Sequence, residues 1–206
     1  GVCESASMLG YNVLITTSNA HDISELQSLV ESNRVDGMLL TRALEDDRAL
    51  QYLSQANFPT ALTGTCRYDN IIQVDTDNEG AAEKMTTLLI GKGFRRFAFL
   101  VKDMSYNVDR KRHEGFCRAL IKNGISEKDQ LFYNGSIRME FLDAIIENII
   151  SKKVECIICG DDEICTMVMS RLQAEGYRIP KDVAIASLYN STNLDCYSPA
   201  VTAVSV

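Results

Sequence analysis

Short apolar runs alternate with amphipathic segments along most of the chain, most clearly within residues 154–188. Residues 154–159 have the length and apolarity of a buried strand, and residues 183–188 repeat that pattern. The segment between them carries one apolar face at helical spacing, made of Ile164, Met167, Val168 and Leu172. Two buried strands joined through a helix form a βαβ unit, whose strands pair in parallel. We therefore predict a parallel sheet in this part of the chain.

The same alternation falls into two series of similar size, separated at Gly91-Lys92-Gly93. Regular alternation of strands and helices is typical of an α/β protein with parallel sheets. Ahead of the βαβ unit we predict strands at residues 11–17, 38–41, 60–65, 71–74, 97–101 and 131–133. The sequence thus predicts two Rossmann-like lobes with a ligand cleft between them, the first at residues 1–92 and the second at residues 93–198. Residues 199–206 are expected to begin a return to the first lobe.

Polar residues follow the predicted strands at the edge where open α/β sheets bind ligands, beyond the carboxyl ends of the strands. Gly160-Asp161-Asp162 and Tyr189-Asn190 follow the two strands of the βαβ unit, so they are expected to share one mouth. Either aspartate can cap the helix that follows. Thr41-Arg42 ends a strand of the first lobe and is expected at the same side.

Composition narrows the class of protein without naming an activity. The formal net charge of −7 is the opposite of what a nucleic-acid-binding surface carries. No apolar run approaches the roughly 18 residues of a membrane span. The seven cysteines are an odd number and lie mostly in apolar segments, which favours a reducing cytoplasm.

Metal binding and catalysis lack a supporting motif. Cys156-x-x-Cys159 has a metal-like spacing, but both residues lie on one strand and their side chains point to opposite faces of the sheet. The only histidines are His21 and His113. Asp75-Thr76-Asp77 resembles the DxD of some metal-dependent glycosyltransferases, although Asp77 as a helix cap explains it. Because G-x-G-x-x-G, P-loop and G-x-S-x-G motifs are also absent, we predict no metal, no cofactor and no enzymatic activity.

A set of short motifs runs from one end of the chain to the other. In chain order they are Gly10-Tyr11, Arg34-Val35-Asp36-Gly37, Phe58-Pro59, Val74 with Asp77-Asn78, Gly93-Phe94-Arg95-Arg96-Phe97-Ala98, Arg112-x-x-Gly115-Phe116, Gly160-Asp161-Asp162, Gly176-x-x-Ile179-Pro180-x-Asp182-Val183-Ala184 and Pro199-x-x-Thr202. Their order and spacing together resemble the effector-binding region of lactose-repressor-type (LacI/GalR) bacterial transcription regulators. The resemblance covers essentially all 206 residues.

The resemblance implies a type I periplasmic-binding-protein-like fold, in which a sugar, nucleoside or related small polar metabolite binds between the lobes. Ligand-driven closure would control DNA binding by a headpiece outside this sequence, in a homodimer. It also implies that the first strand of the first lobe is missing here. An extracytoplasmic sugar-binding receptor of the same fold is the alternative, and the unpaired cysteines argue against it.

The resemblance also implies candidate ligand contacts. Arg112 matches an arginine that faces the cleft, where its planar fork can bind paired hydroxyls or a carboxylate. Asp161 matches a ligand contact, whereas Asp162 matches a helix-starting aspartate. Tyr189 replaces an aspartate that many relatives carry, and would supply an aromatic wall beside the polar Asn190. Further candidates are Asp77 near the cleft, Thr41 and Arg42 at a strand end, and Tyr106 and Asn107 in a loop that could close over a ligand.

Overall fold

The computed structural model describes residues 1–17, 22–135 and 139–205. Three parallel strands form the first sheet in the spatial order of the chain, namely β1 (Met38–Leu40), β2 (Thr60–Thr63) and β3 (Ile72–Val74). Helices α1 (Val2–Met8) and α2 (Ser24–Glu31) precede this sheet, and α3 (Arg48–Gln55) joins β1 to β2. Helix α3 begins where Asp47 accepts hydrogen bonds from the backbone N–H groups of Ala49 and Leu50, as a helix cap does.

Five parallel strands form the second sheet: β4 (Phe97–Val101), β5 (Leu131–Asn134), β6 (Cys156–Cys159), β7 (Ala184–Ser187) and β8 (Thr202–Ala203). Their spatial order is β5-β4-β6-β7-β8. The helices of this part are α4 (Asn78–Gly91), α5 (Asn107–Lys122), α6 (Met139–Ser151), α7 (Asp162–Ala174) and α8 (Thr192–Asp195). The predicted α/β class with parallel sheets is confirmed.

The central strands of the second sheet are buried on both faces. Phe97 and Phe99 of β4 pack towards α4 and α5, while Ala98 and Leu100 pack towards α6 and α7. Phe99 stacks on Phe116 of α5, with ring centroids 4.7 Å apart. Burial on both faces explains why the strands appear in the sequence as continuous apolar runs and not as alternating ones.

Helix α4 packs by its side chains on the second sheet. Ala82, Met85 and Leu89 lie in the same apolar cluster as the phenylalanines of β4. The predicted lobe boundary at residue 92 would place this helix in the first lobe, so its contacts favour a boundary ahead of Asn78. Residues 75–77 then form the crossing from the first sheet to the second.

The predicted strand at residues 11–17 is wrong. These residues have no regular secondary structure and are exposed. Among the described residues, strand β1, at the edge of the first sheet, pairs with β2 alone. An extended segment becomes a strand only when its N–H and C=O groups pair with a neighbouring backbone, and no described strand pairs with residues 11–17.

Candidate functional site

The carboxyl ends of β3, β4 and β6 meet the first turns of α5, and Arg112 lies at their centre. Its side chain is buried, with 8% of the residue exposed. Its Nε donates a hydrogen bond to Oδ1 of Asn78 at 3.2 Å, and its Nη1 donates to the carbonyl oxygen of Gly160 at 2.7 Å. Within the described residues, Nη2 donates no hydrogen bond to the protein. The guanidinium is therefore held through Nε and Nη1, and Nη2, which lies between them, can donate to a ligand.

Carboxylates balance this buried positive charge. Burial lowers the pKa of Arg112, and the negative charges of Asp109, Asp161 and Asp75 act to raise it again. Burial also raises the pKa of Asp109, against the hydrogen bond from the backbone N–H of Asp103 and the charge of Arg112. An arginine remains protonated in this setting. The centre is thus a charged donor among nearby carboxylates, which is the way buried charges are tolerated.

Asp161 both caps a helix and faces this charged centre. Its Oδ1 accepts a hydrogen bond from the backbone N–H of Ile164 at 2.9 Å, so it caps α7. Its Oδ2 lies 2.9 Å from Nζ of Lys102, which follows β4 and also pairs with Glu163 at 2.5 Å. Of the two aspartates that could cap α7, Asp161 is therefore the cap, and Asp162 is the first residue of the helix.

Tyr189 and Asn190 follow β7 in a tight turn. The hydroxyl of Ser187 donates to the carbonyl oxygen of Tyr189 at 2.7 Å, which fixes the turn. Tyr189 is 40% exposed and lies near enough to Arg112 to affect the pKa of the guanidinium. Asn190 donates instead to Asp195 of α8 at 3.0 Å. The tyrosine ring can serve as a wall of the site, while the amide of Asn190 is engaged in the loop.

A short stretch of backbone pairing closes one side of the cleft. Residues 42–45 of the first lobe and 105–107 of the second, here called the interlobe clasp, form an isolated antiparallel bridge between Leu44 and Tyr106. The backbone N–H of Glu45 donates to the carbonyl oxygen of Ser105 at 3.1 Å, and that of Asn107 donates to Ala43 at 3.2 Å. The guanidinium of Arg42 lies 5.1 Å from the ring centroid of Tyr106.

Side chains from α5 reinforce the clasp. Asn107 donates to the carbonyl oxygen of Thr65 at 2.7 Å, and Nζ of Lys111 donates to the hydroxyl of the same residue at 2.7 Å. Arg110 pairs with Glu45 across the lobes at 2.5 Å. A cavity of about 380 Å³, lined by both polar and apolar side chains, lies between α5 and the first lobe, within the size range of small-molecule sites.

The structure brings the predicted site residues into two groups. Arg112, Asp161 and Tyr189 lie together at the charged centre, while Arg42, Tyr106 and Asn107 lie together in the clasp. The remaining predicted residues are engaged or placed elsewhere: Asn190 in its loop, Asp77 capping α4 through the N–H of Gly80 at 2.8 Å, and Thr41 exposed beyond β1.

Sequence reasoning missed three side chains of this region. They are Asn78, Lys102 and Thr65, which contact Arg112, Asp161 and α5 respectively. Their position directly after a strand or at a helix start was the available signal. That signal was not specific, because many polar residues occupy such positions.

The described residues contain neither a cluster of metal-ligating side chains nor a membrane-spanning helix. No group of three or more His, Cys, Asp or Glu side chains there could hold a metal ion. His113 packs against Phe132 with centroids 4.3 Å apart, and His21 lies outside the described residues. None of the helices in the ranges given above is long and apolar enough to cross a membrane.

Comparison with known proteins gives a consistent family and fold. The family described as periplasmic binding protein-like domain matches residues 86–206, which is more than half of the chain. Catabolite control protein A of Staphylococcus xylosus is 25% identical over 208 residues, covering 99% of this chain and 63% of that protein. The chain therefore spans less than two thirds of the length of this curated relative.

Solved structures agree with the sequence relatives. A structure from Bacillus cereus subsp. cytotoxis NVH 391-98, described as a transcriptional regulator LacI, matches with a TM-score of 0.89 and 29% identity, covering 99% of this chain and 75% of that one. A complex of the transcriptional regulator CelR with cellobiose matches with a TM-score of 0.84 and 26% identity, covering 100% of this chain and 64% of that one. These matches agree with the resemblance drawn from the sequence motifs.

Proposed function

The chain belongs to the periplasmic binding protein-like domain family, and from this premise we propose that it is the effector-binding region of a LacI-type transcription regulator. One observation supports effector binding above the others. Arg112 is buried at the mouth of two lobes, is held through Nε by Asn78 and through Nη1 by Gly160, and has Nη2 without a partner among the described residues. A planar donor of this kind suits paired hydroxyls or a carboxylate.

The ligand would be a sugar, a nucleoside or a related polar metabolite, bound without chemical change. Arg112 would donate to ligand oxygens, Asp161 would accept a hydroxyl through Oδ2, and the ring of Tyr189 would cover an apolar face. The bound CelR structure is a complex with cellobiose, which supports a carbohydrate among the candidates. The relatives named above are transcription regulators, which are not enzymes, and this supports a binding role.

The switch would be a change in the angle between the lobes. Ligand that contacts both lobes favours the closed state by its difference in affinity for the two states. A coupling of about 1–3 kcal/mol is enough to change an operator affinity several-fold or more. The interlobe clasp supports this view, because it joins the lobes through a few hydrogen bonds that are separate from the buried cores.

The same proposal covers how the regulator binds operator DNA, its oligomeric state and its cellular compartment. DNA would be bound by a headpiece outside this sequence, since the chain itself carries a net charge of −7. The HTH-type transcriptional regulator CelR of Thermobifida fusca, of which this chain covers 62%, supports that arrangement. A homodimer in the cytoplasm completes the proposal, as the resemblance of the sequence motifs implies. The relatives also favour a regulator over an extracytoplasmic receptor of the same fold.

Calorimetry with a panel of cellobiose, simple hexoses, pentoses and nucleosides tests the proposal. We expect at least one compound to bind the chain, and Arg112→Ala to remove that binding. Arg118→Ala is the matched control, because Arg118 lies on the same helix but pairs with Glu83 on the surface, at 3.6 Å. Binding that survives Arg112→Ala would exclude Arg112 from the site. A panel without any bound compound would count against effector binding as a whole.

A further inference from the structure

Asn78 is a buried polar residue placed at the junction of the two lobes. It is the first residue of α4, directly after the crossing at residues 75–77, and is only 5% exposed. A polar side chain buried to this extent must find hydrogen-bond partners, or its burial is unfavourable. Its partners therefore show which groups the junction holds together.

Both the oxygen and the nitrogen of the Asn78 side-chain amide have hydrogen-bond partners. Oδ1 accepts from Nε of Arg112 at 3.2 Å. Nδ2 donates to Oδ1 of Asp75 at 2.9 Å and to the carbonyl oxygen of Thr76 at 3.1 Å. The reversed amide would turn its NH₂ group towards the N–H of Arg112 and its oxygen towards two acceptors. The network thus determines the orientation of the amide.

This arrangement connects the crossing segment to the cleft. Asp75 follows β3 of the first sheet, whereas Arg112 lies on α5, which packs on the second sheet. With Nε held by Asn78 and Nη1 held by Gly160, the plane of the guanidinium is defined by two points. Removing the Asn78 contact would leave the guanidinium free to turn about the remaining one.

We propose that Asn78 is the positioning residue for Arg112: it aims the guanidinium into the cleft and ties that orientation to the crossing between the lobes. The role of the orientation rests on the proposed function, because it matters only if Arg112 meets a ligand. Asn78 itself acts through Arg112 and Asp75, and needs no contact with the ligand.

Nitrogen-15 NMR of arginine side chains tests the proposal on the 206-residue chain without any ligand. The Nε–H signal of Arg112 is assigned by its disappearance in Arg112→Lys. In the parent chain we expect this proton to be protected from exchange with water. In Asn78→Ser the shorter side chain cannot reach the Nε proton of Arg112. Exchange of this proton with water should therefore become faster by roughly tenfold or more, as expected for loss of a hydrogen bond to a charged group.

Asn78→Asp separates positioning from a general role at the start of α4. The aspartate keeps an acceptor for Arg112 but loses the donor to Asp75, so the Arg112 proton should stay protected while the crossing is weakened. An unchanged Arg112 signal in Asn78→Ser, or a lost one in Asn78→Asp, would overturn the proposal. Calorimetry with the panel above is a separate readout, so failure of ligand binding and failure of positioning are distinguishable.

Discussion

Gly115→Ala tests the contact between α4 and α5 that keeps Asn78 beside Arg112. A Cβ at residue 115 would come closer than 3.0 Å to the carbonyl oxygen of Glu79 and would lie 3.0 Å from the Cβ of Ala82. Neither neighbour can turn away, because one is main chain and the other is fixed to its helix. The two helices would have to separate.

The size of the effect follows from two opposing contributions. Overpacking a tight contact costs about 1–3 kcal/mol, and a clash with the main chain belongs at the upper end. Alanine regains about 1 kcal/mol over glycine through its helix propensity. The net loss of about 2 kcal/mol should lower the Tm by about 4–8 °C in a chain of this size.

Thermal unfolding followed by circular dichroism measures this change. Gly91→Ala is the matched control, since Gly91 ends α4 and an added Cβ there meets nothing within 4 Å. We expect the control to melt at or slightly above the parent temperature. If Gly115→Ala melts no lower than the parent chain, or if both substitutions shift the Tm equally, then α4 and α5 do not approach each other at Gly115 as closely as the structure indicates.

Two further predictions address the clasp and the thiols. Asn107→Ala removes a side-chain hydrogen bond across the lobes, so the backbone amide of Glu45 should exchange with deuterium roughly tenfold faster; unchanged exchange would show that the clasp does not depend on it. Burial raises the pKa of Cys156 to about 12, so iodoacetamide should modify the exposed Cys3 and Cys196 well before it, as read by mass spectrometry. Equal rates for all three would contradict the burial.

The strands of the second sheet could be predicted from the sequence because each is buried on both faces. Residues 97–101 and 156–159 are apolar at every position, and the structure confirms them as β4 and β6. Helix α7 was equally visible, since its apolar residues recur at helical spacing. Residues 11–17 show the limit of this reasoning. They have the composition of a strand, but a strand also needs a paired neighbour, and none of the described strands pairs with them.

At the candidate site, local sequence patterns identify Arg112, Asp161 and Tyr189 as polar groups near predicted strand or helix ends. Their closeness follows from parallel pairing, which places strand carboxyl ends at one edge. Three contacts are visible only in the folded chain: Asn78 with Arg112, Lys102 with Asp161, and residues 42–45 with residues 105–107. Local propensity acts over a few residues, whereas these contacts depend on how two lobes pack.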